Sequence, residues 1–209
     1  MKTTIKLLAI FALMLTTFLQ HSSASATEVE RFTVQGVGAV FTNTQGCILT
    51  NVNVQAYEAV NQFPPENKIT TRIVYLIIDQ FDTCTNTQLL YAEGNAPVAK
   101  KDFRLAGNLD SATLNTTVAL VDLQSGATFD VFVNLTWTAI GPLTRSGNNN
   151  NNQNHSPECK IHARYKDTYR PAEASGTVSD GTTNFTPEPS LVADFFTVKA
   201  GSQFIGCDF

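Results

Sequence analysis

Charge is scarce in this chain, and histidine, tryptophan and closely spaced cysteines are scarcer. Asp, Glu, Lys and Arg make up 15% of its 209 residues, beside three histidines and one tryptophan. Beyond the first 26 residues, a His-based nucleophilic triad would have to use His155 or His162, and no serine stands in a G-x-S-x-G elbow to serve either. No two cysteines lie three residues apart, which removes the usual redox and zinc-ribbon patterns. His155, Cys159 and His162 have metal-like spacing. On a strand, however, residues 159 and 162 point to opposite faces, and Cys159 is needed to pair the fourth cysteine. Asp79, Asp82 and Asn86 lack the spacing and the glycine of an EF-hand loop. Gly36-Val37-Gly38 is followed by no helix, so it marks a bulge or a close backbone approach, not a phosphate loop. The sequence therefore assigns no catalytic, cofactor-binding or metal residue, and no cofactor is expected.

What is present begins with an export signal. Lys2 and Lys6 flank the start of the apolar run Leu7–Leu19, and Ala24-Ser25-Ala26 supplies a cleavage site, so residues 1–26 read as a signal peptide. The remaining chain, 27–209, has length for one domain. Two of the fourteen basic residues and none of the eighteen acidic ones fall in the signal, so its net charge is 12 − 18 = −6. That balance gives no sign of nucleic-acid binding, and no later segment is long and apolar enough for a transmembrane helix. Cys47, Cys84, Cys159 and Cys207 all follow the signal, which suggests two disulfides in an extracytoplasmic compartment. Of the three connectivities, Cys47–Cys84 and Cys159–Cys207 join neighbours within each half of the chain.

Strand signals dominate from Arg31 onward. The clearest is a hairpin from Ser111 to Ile140, where Phe129, Val131, Val133, Leu135, Trp137 and Ala139 alternate with Asp130, Asn134, Thr136 and Thr138. A four-residue turn, Gln124–Ala127, puts Leu114, Val118 and Leu120 on the same face as that row, whereas a three-residue turn would put Asn115 there. Trp137 then belongs to the core, not to a sugar-stacking platform; Tyr57, Tyr165 and Tyr169 are the other aromatic candidates for one. Ile73–Ile78 reads as a central strand covered on both faces. Arg170–Gly176, with its proline and glycine, could form one helical turn. The Asn-rich stretch 146–156 has no hydrophobe to offset its ordering and reads as a disordered surface loop where a binding loop could sit. About ten strands separated by turn signals indicate an all-β fold, an antiparallel β-sandwich with Ig-like or jelly-roll-like layering and negligible helix.

Two basic clusters stand out. Lys160, His162, Arg164, Lys166 and Arg170 share one face of a strand, with the chemistry to meet an anionic surface or polysaccharide. Lys100, Lys101 and Arg104 form a smaller patch, read as a solvated edge. N-x-[ST] sequons occur at Asn115, Asn134, Asn154 and Asn184. The reading that follows is a secreted, disulfide-stabilised, non-catalytic surface or binding module; its partner is not specified by the sequence, and the candidates are cell-surface or extracellular polysaccharide or protein. The alternatives are an exported hydrolase with a non-local carboxylate pair and a small outer-membrane barrel. Against the barrel stand the polar outward residues Asp130, Asn134 and Thr136.

Overall fold

The computed structural model describes residues 28–63, 67–148 and 160–205. The signal segment, Cys159, Cys207, His155 and Asn154 lie outside them, so the second disulfide and those site readings find no structural counterpart here. The described chain is all-β. Its ten strands are β1 (Glu28–Gln45), β2 (Ile48–Phe63), β3 (Asn67–Asp82), β4 (Thr87–Pro97), β5 (Phe103–Leu105), β6 (Ser111–Asp122), β7 (Thr128–Ala139), β8 (Thr144–Asn148), β9 (Lys160–Ser179) and β10 (Val192–Ile205).

All pairings are antiparallel, in the order β10-β1-β2-β3-β4-β6-β7-β9-β8, with β5 on β6 and β9 also on β10. β9 makes this possible by pairing with both β10 and β7, besides β8. Residues 160–172 pair with β10, and residues 172–179 with β7. β4 meets β6 through only two residue pairs, Ala92–Asp122 and Glu93–Val121. The sheet therefore folds over on itself, and β6–β7 lie across a shared core from β1–β3. Period-two alternation builds that core: Val37, Ala39 and Phe41 of β1 line up with Val52, Val54 and Ala56 of β2 and with Val74, Leu76 and Ile78 of β3. Leu114, Val118, Leu120, Val131, Val133, Leu135 and Trp137 face them from β6 and β7. The fully buried Trp137 donates its indole N–H to the Gly38 carbonyl across the core at 3.0 Å.

Several expectations need correction. The β6–β7 turn is Leu123–Gly126, not Gln124–Ala127, and the register is displaced by two residues, pairing Leu120 with Phe129 and Leu114 with Leu135. A two-residue displacement keeps every side chain on its face, so the buried set is as expected. Turn chemistry sets the register. The Asp122 carboxylate accepts from Gln124 N–H and Ser125 Oγ, and Gly126 takes φ 74°, closing the turn with its N–H on the Asp122 carbonyl. Arg170–Gly176 is not a helical turn but the bend of β9, where Pro171 marks the change of partner. Gly176, at φ 131°, lets the strand pass so close to β7 that a Cβ there would lie 2.1 Å from the Asn134 carbonyl oxygen. The Asn-rich stretch does not begin as loop: Thr144–Asn148 pairs with β9, because ladder bonding needs no hydrophobe. In β3, Val74, Leu76 and Ile78 are fully buried while Ile73, Tyr75 and Ile77 are half-buried, so only one face is fully covered.

Cys47 and Cys84 form a disulfide that joins the β1–β2 and β3–β4 turns. Those turns are also tied by Thr83 N–H and Oγ1 donating to the Cys47 carbonyl. A disulfide is consistent with an oxidising, extracytoplasmic location.

Candidate functional site

β1, β2, β3, β9 and β10 run on past the core, and the character of their core-side face changes there. Three cross-strand rows can be read from the register. The outermost joins Arg164, Gly201, Arg31, Gln62 and Lys68. The next joins Lys166, Lys199, Thr33, Val60 and Thr70, and the third Thr168, Thr197, Gln35, Glu58 and Arg72. One row further on, Arg170, Phe195, Val37, Ala56 and Val74 begin the core. Fifteen positions thus carry six cations and one acid, in a chain whose overall charge is negative. β8 extends the face by placing Arg145 opposite Thr168.

The opposite face of the same strands has the opposite chemistry. Its rows run Tyr165, Ala200, Phe32, Asn61, Ile69; Asp167, Val198, Val34, Ala59, Thr71; and Tyr169, Phe196, Gly36, Tyr57, Ile73. No lysine or arginine stands in them. Val34 is 4% exposed on this face, so its aromatic and aliphatic neighbours cover it. Gly36 is required here: a Cβ would lie 2.5 Å from the Ala56 carbonyl and 2.7–2.8 Å from Tyr57 and Phe196. The Gly36-Val37-Gly38 sequence is accordingly a close approach, and the register runs through it without a bulge.

At the β3 side, the cationic face deepens into a groove of about 450 Å³. Gln35, Glu58, Val60, Lys68, Thr70 and Arg72 form one wall, and Lys100 with Phe103–Leu105 the other. The patch expected to be a plain solvated edge therefore contributes Lys100 and Arg104 to a groove. Arg72 forms an ion pair with Glu58, whose other oxygen accepts from Gln35 Nε2 at 3.3 Å. Arg104 is held by its Nε on the Lys101 carbonyl at 3.2 Å. Among the described residues, Lys68 and Lys100 enter no ion pair. Glu58, the one carboxylate lining the groove, is engaged by Arg72, so a two-carboxylate hydrolytic site has no second member there.

The other sequence candidates fall elsewhere. Arg164, Lys166 and Arg170 lie on the cationic face as their alternation implies, while the side chains of Lys160 and His162 are outside the described set. Arg170 acts as a clamp at the core boundary, donating Nε to the Gly141 carbonyl at 3.0 Å and Nη1 to the Asn108 and Leu109 carbonyls. Asp82 caps its turn through the Cys84 and Thr85 amides, which pull its pKa down, and beside it stand the two disulfide sulfurs. Asn115 and Asn134 are exposed and directly opposed on β6 and β7. Asn184 instead accepts from the Thr186 N–H at 3.1 Å, bracing a loop in which Thr186 is buried.

Tyr57 and Tyr169 lie on the face away from the core, with their pKa values raised by burial. On that face too, Tyr75 donates to Glu93 at 3.0 Å, and burial together with that carboxylate pushes its pKa up to about 12. Asp194, next to Gly38, was not foreseen from the sequence. Burial raises it to about 6, although the Gly38 backbone and the Tyr169 hydroxyl favour its charged form.

No protein-family model and no curated protein matches the chain. A crystal structure of a protein given the AttH designation, from Nitrosomonas europaea, is similar at a TM-score of 0.30 and 10% identity, over 87% of this chain. The alignment spans 52% of that structure, so the chain corresponds to about half of its length.

Proposed function

We propose that this chain is an exported, non-catalytic binding module whose binding surface is the cationic groove and the sheet face that continues it. The observation that supports the reading is the separation of charge by strand parity. Lysine and arginine occupy the core-side rows beyond the core, and none occupies the alternate rows of the same strands. Solvation alone would scatter charge over both faces of a two-sided extension. Lys166 and Lys199 are direct cross-strand partners, an arrangement that destabilises a bare sheet and that an anion bound between them relieves.

The assay is co-sedimentation or calorimetry of the mature chain with anionic and neutral carbohydrates, combined with a reducing-end assay on the same mixtures. Binding without release of reducing ends is the expected result. Turnover of any bound polymer would refute the non-catalytic assignment, and the exported hydrolase would take its place.

A further inference from the structure

Resting on that reading, we infer that the ligand of the cationic face is an acidic polysaccharide, a carboxylated or sulfated chain that lies across the strands. The size of the face argues for a polymer. Six strands from β8 to β3, about 4.8 Å apart, make a track roughly 24 Å across. A single small anion would engage two or three cations, as in the groove by Lys68 and Lys100. The rows instead place charge at both ends: Arg164 and Lys166 on β9, Arg31 on β1, Lys68 and Arg72 on β3.

The neutral residues between the cations specify the kind of polyanion. Thr33, Thr70, Thr168, Thr197 and Gln35 offer hydroxyl and amide groups in the pattern that sugar hydroxyls need. A single-stranded nucleic acid would call for aromatic platforms among the basic residues. The three basic rows hold none; Phe32, Tyr57, Tyr165, Tyr169 and Phe196 all belong to the alternate rows. An anionic membrane would call for exposed apolar side chains to insert beside the charges. Val60 is the single large hydrophobe in those rows and is half-buried.

The test uses the full mature chain with polygalacturonate, dextran sulfate, neutral dextran, an oligothymidylate and phosphatidylserine vesicles. Two double variants carry the same charge change: Lys68→Gln/Lys166→Gln on the track, and Thr117→Glu/Ala119→Glu on the exposed face of β6, opposite β7 and away from the groove. Binding to polygalacturonate or dextran sulfate is expected, the two arms separating carboxylate from sulfate. It should weaken steeply with added salt and be undisplaced by monomeric galacturonate. The track variant should bind about tenfold more weakly, and the β6 variant within twofold of the parent. Thermal melts of both variants establish that each is folded. Equal loss in both variants, or binding to the oligonucleotide or vesicles as strong as to the polysaccharides, would overturn the inference. If only neutral dextran binds, the acidic ligand is wrong while the binding-module reading stands; hydrolysis would remove that reading itself.

Discussion

Asp194→Asn should make this protein more stable at neutral pH and remove a pH dependence that the parent carries. Asp194 stands opposite Gly38, in the space that the missing side chain leaves, with Oδ1 3.0 Å from where a Cβ would be. Burial raises its pKa from 3.8 to about 6 in the folded protein. Between those values the folded state holds a proton that the unfolded state has released, so stability falls as pH rises through the window. Integrated over that interval, the loss is about 3 kcal/mol by neutral pH. Asparagine resembles the protonated acid and does not titrate. Allowing about 1 kcal/mol for imperfect replacement of the hydrogen bonds, the variant should gain about 2 kcal/mol at pH 7.5 and be less stable than the parent by up to about 1 kcal/mol at pH 4. Asp82, Asp122 and Asp180 titrate with the opposite sign, because turn hydrogen bonds lower them; what they contribute is lost only as pH falls below 3.8. Urea midpoints by far-UV circular dichroism at pH 4, 5, 6 and 7.5 would separate the two windows. Parallel profiles for parent and variant from pH 4 to 7.5 would refute the reasoning.

Three further outcomes are expected. Gly176→Ala should cost more than about 3 kcal/mol or prevent folding, since it combines φ 131° with a 2.1 Å approach to the Asn134 carbonyl. Gly107→Ala, in open space, should change stability by no more than about 0.5 kcal/mol, and equal effects in a urea titration would contradict the β9 bend. Trp137→Phe should destabilise by about 2–4 kcal/mol, through a smaller ring and an unpartnered Gly38 carbonyl, and a loss under about 1 kcal/mol would mean the indole bond contributes little. The double variant Cys47→Ser/Cys84→Ser frees a loop of sequence separation 37 and should lose about 4 kcal/mol by the chain-entropy estimate, seen as a lower denaturation midpoint. An unchanged midpoint would show that the neighbouring turns hold each other without the bridge.

Most of the fold was legible because period-two alternation is a local signal. The rows from Phe129 to Trp137 and from Val52 to Ala56 can be read without knowing any partner. The β6–β7 register was misread because a two-residue displacement leaves the alternation unchanged, and the turn chemistry of Asp122 and Gly126 resolves it. Pro171 and Gly176 suggested a helix from their identities alone. In fact they bend a strand that passes from pairing with β10 to pairing with β7, a feature of tertiary pairing.

The cationic face was legible only in its β9 portion, and the groove only in its Lys100 and Arg104 patch, since the remaining members come from strands distant in sequence. A weaker signal was available: Lys68, Thr70 and Arg72 have the same parity as Val74, Leu76 and Ile78, and Arg31, Thr33 and Gln35 the same as Val37, Ala39 and Phe41. A strand whose core-facing positions turn from apolar to basic announces a sheet that outruns its core.

Strand length explains why such a surface can exist. β6 and β7 have 12 residues each, whereas β1, β2 and β3 have 18, 16 and 16 and β9 has 20. The covering hairpin is too short to reach the three basic rows. Ordering the extra backbone costs about 1–2 kcal/mol per residue, so something other than the central core must hold the extension together. The alternate rows do so: Phe32, Val34, Tyr57, Phe196 and Val198 pack across β10, β1 and β2 on the far face, closely enough to bury Val34. With cohesion supplied from that side, the core-side face is released from packing and can hold mutually repelling cations such as Lys166 and Lys199. Charge on one face and adhesion on the other are therefore a single arrangement, and polar substitutions at Phe32 or Phe196 should weaken anion binding without touching a cation.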